Sequence, residues 1–219
     1  DRRGSGRSQM ADPQPVPVAR HAADVVAVLD ALGIDRAVVV GHSFGGVVAL
    51  RVAAEHPARV AAVIAWEPPH LAVADEGLRT AMAAMAEDVV ARYGTDGPGA
   101  AARRFLGAVS GEYAWDRLHP RQREAIASQG GGAVADVAMP GLTADGLERI
   151  KAPTTIATGG ASDAFYAPIA DALAGLIGPL AGREHLPGLA HMAPITDAST
   201  IADLVLRLTQ PTHATETAP

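Results

Sequence analysis

The chain contains no cysteine in its 219 residues. A disulfide framework and thiolate metal ligands are therefore excluded, and a reducing compartment is permitted, so we expect a cytoplasmic location. No apolar run reaches the roughly 18 residues of a membrane-spanning helix, so no membrane partner is expected. Basic residues are scattered and the net charge is −6, which argues against a nucleic-acid partner.

What the chain does contain is aliphatic. Hydrophobic residues make up 48% and charged residues 19%, which is typical of a folded globular protein and not of a disordered one. At this length we expect one large domain.

Helical and strand patterns alternate at the start of the chain and again near its end. Amphipathic spacing predicts helices, and short runs rich in β-branched residues predict strands that are buried on both faces. We predict helices at 18–33, 44–55, 169–177 and 200–208, and strands at 37–40, 60–65, 154–158 and 183–186. This order predicts an α/β fold with a mostly parallel sheet and helices on both faces.

The alternation stops between the second and third strands, where we find no convincing strand and three helical segments. We therefore divide the chain into a core of residues 1–66 and 151–210, a helical insertion at 67–150 and a loose tail at 211–219.

One motif carries chemistry. Gly41-His42-Ser43-Phe44-Gly45 fits G-x-S-x-G between a predicted strand and a predicted helix, which is the context that makes this pattern specific. We expect Ser43 to adopt strained dihedral angles, and both glycines to be required because a Cβ there would collide with the strand or the helix. The pattern predicts a nucleophilic serine above the N-terminus of a helix, and His42 is expected to be structural.

A serine nucleophile needs a base and an acid. His191 is the favoured base because it lies in a loop after the last predicted strand. Two carboxylates follow strand ends, Asp163 after the third strand and Glu67 after the second. Asp163 is favoured, since it gives the chain order Ser, Asp, His that accompanies this motif, and Glu67 remains the alternative acid.

With these residues in place, the chain resembles the α/β-hydrolase superfamily along nearly its whole length. GHSFGG resembles the nucleophile elbow, the loop at Asp163 the acid turn and GLAH the histidine loop, and the insertion lies where these enzymes carry a helical cap. The resemblance implies a serine hydrolase that cleaves an ester, thioester or related acyl bond of a small-molecule substrate. It also implies that the Phe44 N–H forms half of the oxyanion hole and that no cofactor or metal is needed.

Two alternatives remain open at this stage. One is a cofactor-independent perhydrolase or haloperoxidase with the same triad, and the other is a non-catalytic ligand-binding protein on the same fold. Neither the substrate nor the oligomeric state follows from the sequence, because cap loops set specificity. Candidate side chains for an acyl pocket are Trp66, Met82, Met85, Phe105, Tyr113 and Trp115. For Met82 and Met85, whose spacing is helical, plain packing is the favoured interpretation.

The first residues, DRRGSGRS, resemble the D-x-R-G-x-G-x-S loop that follows the fourth sheet strand in this superfamily. We therefore expect an N-terminally truncated chain, without the strands and the HG-type oxyanion loop that normally come earlier. On this reading the strand at 37–40 becomes an apolar sheet edge, and we expect these residues alone to be poorly soluble or oligomeric and poorly active.

Overall fold

A computed structural model describes residues 1–111, 113, 115–137 and 143–210. Four strands form one sheet: β1 (Ala37–His42), β2 (Val60–Trp66), β3 (Thr154–Gly159) and β4 (Ala181–Leu186). They lie in the order β1-β2-β3-β4, and every neighbouring pair is parallel. The predicted α/β fold with a parallel sheet is confirmed.

The helices are numbered in chain order. Those described are α1 (Val18–Ala31), α2 (Phe44–Glu55), α3 (Glu76–Asp96), α4 (Pro98–Ser110), α5 (Pro120–Ala127), α6 (Gly130–Asp136), α7 (Ala144–Leu147), α8 (Tyr166–Ile177), α9 (Ala193–Thr196) and α10 (Ala198–Thr209). Short 3-10 helices occupy Pro57–Arg59, Leu71–Val73 and Gly178–Leu180. The sequence pattern missed α6, α7 and α9, which are short.

Helices pack on both faces of the sheet. Side chains alternate along each strand, so successive residues point to opposite faces. On one face, α1, α2 and α8 pack against strand residues such as Val63, Ala65 and Ile156 in the main hydrophobic cluster. On the other face, Trp66 and Ala157 pack against α9 and α10 in a smaller cluster. Successive strand residues therefore serve opposite layers of the protein.

Helices α3, α4 and α6 form a separate cluster around Met85, Val89, Ala101 and Val134. The predicted insertion does not end cleanly at residue 150, because Leu147 and Ile150 pack into the main cluster beneath the sheet. The predicted tail, 211–219, lies outside the described residues.

Strand β1 is an edge of the sheet in the part of the chain that the structure describes. Val38 is 38% exposed and Val40 is 49% exposed. The edge position that the sequence predicts for this strand is thus observed. The prediction that the strand is buried on both faces is wrong, since Val38 and Val40 lie on a face that the described residues leave uncovered.

Candidate active site

The strand-to-helix turn at Ser43 has the conformation that the motif predicts. Strand β1 ends at His42 and α2 begins at Phe44, and Ser43 between them has φ 53° and ψ −124°. A positive φ at a residue with a Cβ is strained and persists only where the surroundings hold it. Here the Ser43 N–H donates to the Trp66 carbonyl at 2.8 Å and the Ser43 carbonyl accepts from the Gly46 N–H at 2.8 Å.

The two glycines of the motif are not equivalent. A Cβ on Gly41 would lie 2.2 Å from the Gly45 carbonyl oxygen, so only glycine fits at that position. A Cβ on Gly45 would meet no atom within 4 Å outside its own helix turn. The expectation that both glycines are sterically required is therefore correct for Gly41 and wrong for Gly45, which faces open space.

Glu67 follows β2 and is completely buried. Its φ is 45°, and with Ser43 it is one of two described residues other than glycine that have a positive φ. Its backbone N–H donates to the Ala157 carbonyl at 2.9 Å, and its Oε1 accepts from the Gly159 N–H at 2.7 Å. Strand β3 thus holds both the backbone and the side chain of Glu67.

The remaining oxygen of Glu67 binds the candidate base. Glu67 Oε2 lies 2.9 Å from His191 Nδ1, and both side chains are buried. The His191 carbonyl accepts from Trp66 Nε1 at 3.1 Å. The imidazole is therefore oriented from two consecutive residues of one strand end, as a base in a serine triad must be.

This geometry corrects the prediction that Asp163 is the acid that binds His191. Asp163 does follow β3, but its side chain is exposed, and the carboxylate that bonds Nδ1 belongs to Glu67. Nδ1 carries at most one hydrogen, and Glu67 accepts it, so no hydrogen of Nδ1 is left for Asp163. The expectation that the Asp163 carboxylate lies nearer to Nδ1 is wrong.

The loop after β3 has a different task. A Cβ on Gly159 would lie 2.1 Å from the Leu189 carbonyl oxygen, and the Ala161 N–H donates to that same carbonyl at 2.9 Å. The loop therefore packs directly against the histidine loop. The Gly159 N–H that binds Glu67 comes from the last residue of β3 itself.

The other nitrogen of His191 faces a residue that the sequence did not single out. The hydroxyl of Tyr166 lies 3.3 Å from Nε2, and the two rings stack with centroids 4.8 Å apart. Burial, followed by the nearby charges of Glu67 and Asp163, raises the pKa of Tyr166, so its hydroxyl stays neutral. If Nδ1–H donates to Glu67, the Tyr166 hydroxyl donates to the Nε2 lone pair.

Ser43 Oγ makes no hydrogen bond to any residue in the described part of the chain. The lone pair that would receive its proton is instead paired with Tyr166, at a distance that is long for a hydrogen bond from a hydroxyl. In this arrangement the His191 imidazole is oriented by Glu67 and Tyr166.

His42 contacts His191 through their rings, whose centroids are 4.7 Å apart. Burial, with a smaller contribution from His191, lowers the pKa of His42 to about 4. His42 is thus neutral near pH 7, and it packs against the candidate base without adding charge beside it.

A cavity of about 400 Å³ opens at Ser43 and His191. Most of its wall is apolar and comes from α4, α5 and α6, together with Phe44 and residues that follow His191. Of the six proposed acyl-pocket side chains, Phe105 lines this cavity. Met82 and Met85 pack within the helical cluster, and Trp66 is buried beneath the site.

A family profile described as alpha/beta hydrolase fold matches residues 1–120, which is more than half of the chain. The chain belongs to the α/β-hydrolase family.

Curated relatives of this α/β hydrolase match over a short stretch. A protein of Variovorax paradoxus named as a carbamate hydrolase, RutD, is 44% identical over 73 residues, which cover 32% of this chain and 27% of that protein. Lipase LipV of Mycobacterium tuberculosis is 43% identical over 76 residues, covering 35% of this chain and 27% of that protein. The matched region thus spans about a quarter of each relative's length.

Solved structures match over a greater length. A hydrolase from Pseudomonas aeruginosa superimposes with a TM-score of 0.73 at 25% identity, covering 96% of this chain and 78% of that one. An esterase from Thermogutta terrifontis gives a TM-score of 0.71 at 24% identity, covering 95% and 77%. At these identities the likeness supports the fold. No helix that the structure describes in this α/β hydrolase has the length and apolar character needed to cross a membrane.

Three residues of the site were missed by sequence reasoning. Tyr166 stacks on His191, and Arg2 and Asp136 line the cavity as an ion pair. Asp136 carried a usable signal, because it is a lone carboxylate in the apolar run AVADVAM. Arg2 and Tyr166 carried none, since their approach to the site depends on how distant segments pack.

Proposed function

We propose that this α/β hydrolase cleaves an ester, thioester or related acyl bond through a triad of Ser43, His191 and Glu67. The observation that carries the proposal is the 2.9 Å contact between His191 Nδ1 and Glu67 Oε2, beside a serine held at φ 53°. An oriented imidazole that lines the same cavity as a serine on a strained turn supports a role in acyl transfer.

In the proposed reaction, Ser43 Oγ attacks the substrate carbonyl while its proton passes to His191 Nε2. Glu67 stabilises the imidazolium that results. The proton then goes to the leaving group, and an acyl-enzyme forms on Ser43. Water, activated by the same nitrogen, attacks the acyl carbonyl and regenerates the serine.

Helix α2 supports the oxyanion in this proposal. The Phe44 N–H is in the first turn, where backbone N–H groups have no acceptor within the helix, and the helix dipole favours negative charge at that end. We propose Phe44 as one oxyanion donor.

Tyr166 must release Nε2 before the base can act on Ser43. The long Tyr166 contact is weak enough for the serine to replace it once a substrate aligns the serine hydroxyl. Tyr166 is therefore proposed as a positioning residue, which keeps the imidazole ring flat against it.

The named relatives support an acyl-type bond, since one is named as a carbamate hydrolase and another as a lipase. We propose a small-molecule acyl substrate, with carbamates among the candidates. Residues 67–150 act as a cap in this proposal, because α4 and α5 form part of the cavity wall. Perhydrolase or haloperoxidase activity and non-catalytic ligand binding stay the two alternative predictions.

The test is covalent labelling of the full-length protein, with any residues that precede Asp1, by a fluorophosphonate probe, followed by peptide mass spectrometry. We expect the label on Ser43, and p-nitrophenyl butyrate hydrolysis that disappears in Ser43→Ala. A protein that neither takes the label nor hydrolyses the ester would favour the binding-protein alternative.

A further inference from the structure

An ion pair joins the first loop of the chain to the last turn of α6. Arg2 Nη2 contacts Asp136 Oδ2, and both residues line the cavity that contains Ser43 and His191. The Arg2 side chain keeps 44% of its exposure, whereas that of Asp136 keeps 8%. The carboxylate is therefore the buried member of the pair.

Asp136 has unused acceptor capacity. Its second oxygen, Oδ1, is buried and has no hydrogen-bond partner among the residues that the structure describes. A buried carboxylate oxygen without a donor is costly, so such atoms usually have a partner when the site is occupied. Burial raises the pKa of Asp136 to about 6, against the opposing effect of Arg2, which agrees with a carboxylate that lacks donors.

The pair offers two complementary groups side by side. The guanidinium of Arg2 lies 5.5 Å from the centre of the Phe44 ring and has N–H groups beyond the one that meets Asp136. Asp136 Oδ1 is an acceptor. Because the two charges cancel, the pair does not select for a charged ligand, and a neutral group with one N–H and one C=O fits it best.

We propose that Arg2 and Asp136 form a specificity site for a secondary amide in the substrate ester, with the Asp136 carboxylate, which lines the cavity, accepting the amide N–H and Arg2 donating to the amide carbonyl. The apolar remainder of the cavity then holds the hydrocarbon that links the amide to the ester. This inference deepens the proposed hydrolase function and rests on it.

The test compares esters that differ by one atom group. In the first series, p-nitrophenyl esters of acetamido acids with one to three methylenes are paired with ketone analogues in which CH₂ replaces the amide NH. In the second, 2-acetamidoethyl butyrate is paired with 4-oxopentyl butyrate, which moves the amide to the alcohol side. The readout is the amide-to-ketone ratio of kcat/KM.

The key variant is Arg2→Met with Asp136→Leu, which removes both charges and leaves neither unpaired. Since the ratio is taken within one protein, partial loss of folded enzyme cancels. The matched control is Arg3→Met with Asp24→Leu. This ion pair joins the same loop to α1, with contacts of 2.6 and 2.7 Å, and does not line the active-site cavity.

A hydrogen bond to a charged group is worth about tenfold or more in such a ratio. We expect the parent and the control to prefer the amide by about tenfold in at least one series, and the Arg2/Asp136 variant to lose that preference. Equal ratios in parent and variant across both series would overturn the proposal, even if every ester is hydrolysed with dependence on Ser43.

A second measurement separates this inference from the hydrolase proposal. If the parent hydrolyses no ester, calorimetry with Ser43→Ala and ethyl 4-acetamidobutyrate, against its ketone analogue, still reports recognition. Tighter binding of the amide by about tenfold, lost in the Arg2/Asp136 variant, would support the specificity site. Equal affinities for amide and ketone would refute it.

Discussion

Replacing Glu67 by glutamine tests the assignment of the triad acid. The glutamine has the same shape as Glu67 but only one acceptor oxygen, whereas Glu67 accepts from both the Gly159 N–H at 2.7 Å and His191 Nδ1 at 2.9 Å. One of these two donors must therefore face the new NH₂ group.

If the amide oxygen stays on Gly159, the NH₂ group faces His191 Nδ1 and forces the hydrogen onto Nε2. That tautomer cannot accept the proton of Ser43. If the amide turns over, the half-buried Gly159 N–H loses its acceptor, at a cost of about 1–3 kcal/mol. The inactive arrangement is thus favoured about tenfold to a hundredfold.

The charge that stabilises the imidazolium is lost in both arrangements. In Ser-His-Asp triads, an amide in place of the acid lowers kcat by about 10⁴-fold. We therefore expect Glu67→Gln to lower kcat for p-nitrophenyl butyrate by about 10²- to 10⁴-fold. Asp163→Asn should change kcat by less than about tenfold, because its exposed charge is screened by solvent.

Glu67→Asp is the control, since it keeps a carboxylate while shortening the side chain, and circular dichroism checks that each variant folds. The assay is steady-state hydrolysis at saturating ester, with Ser43→Ala as background. A large loss in Asp163→Asn together with near-parent activity in Glu67→Gln would refute the reasoning and restore Asp163 as the acid.

Four further outcomes follow from the structure. Ser43→Ala should lower kcat by about 10⁴-fold or more with an unchanged melting curve, and activity close to the parent would remove Ser43 from the mechanism. Tyr166→Phe keeps the ring stack and frees Nε2, so kcat should stay within about tenfold of the parent, whereas Tyr166→Ala should lose more; equal losses would assign the effect to the hydroxyl. Burial lowers the pKa of His70 to about 4, so the folded state disfavours protonation of this side chain. Its contribution to the free energy of unfolding is complete above pH 6.5, and about 3 kcal/mol is lost as the pH falls towards 4. Urea unfolding of the parent and of His70→Gln at pH 7.5 and 4.5 should therefore show a smaller pH effect on the free energy of unfolding in the variant. Val38→Thr with Val40→Thr should reduce self-association in size-exclusion chromatography, because both valines are exposed at a sheet edge, and an unchanged elution profile would mean that this edge does not drive association.

The strand, the turn and the helix around Ser43 could be predicted from the sequence because local interactions determine them. The β-branched run before Gly41 favours a strand in a sheet. Gly41 is required because the Gly45 carbonyl leaves no room for a Cβ. The helix after Ser43 follows from an apolar stretch that ends before Pro57. Each of these features depends on residues within a few positions of one another, which is the range over which sequence patterns are informative.

The choice between Glu67 and Asp163 could be made only in the folded chain. Both follow strand ends, and both strands end at the same edge of the sheet, so position alone left two acids. The bond from the Gly159 N–H turns Glu67 under His191, and the close packing of the loop after β3 against the histidine loop leaves Asp163 exposed. The first contact joins residues 92 positions apart, and the second joins two separate loops, so neither follows from a local pattern.

The polar part of the cavity was decided in the same way. Arg2 and Asp136 are separated by 134 positions, and their meeting depends on how the first loop packs against α6, which no local pattern encodes. The sequence by itself determined the four strands, the longer helices and the strained turn at Ser43, because backbone sterics and side-chain periodicity act locally. Only the tertiary structure decided which carboxylate contacts His191 and which charges line the cavity, because both depend on segments that are distant in the chain.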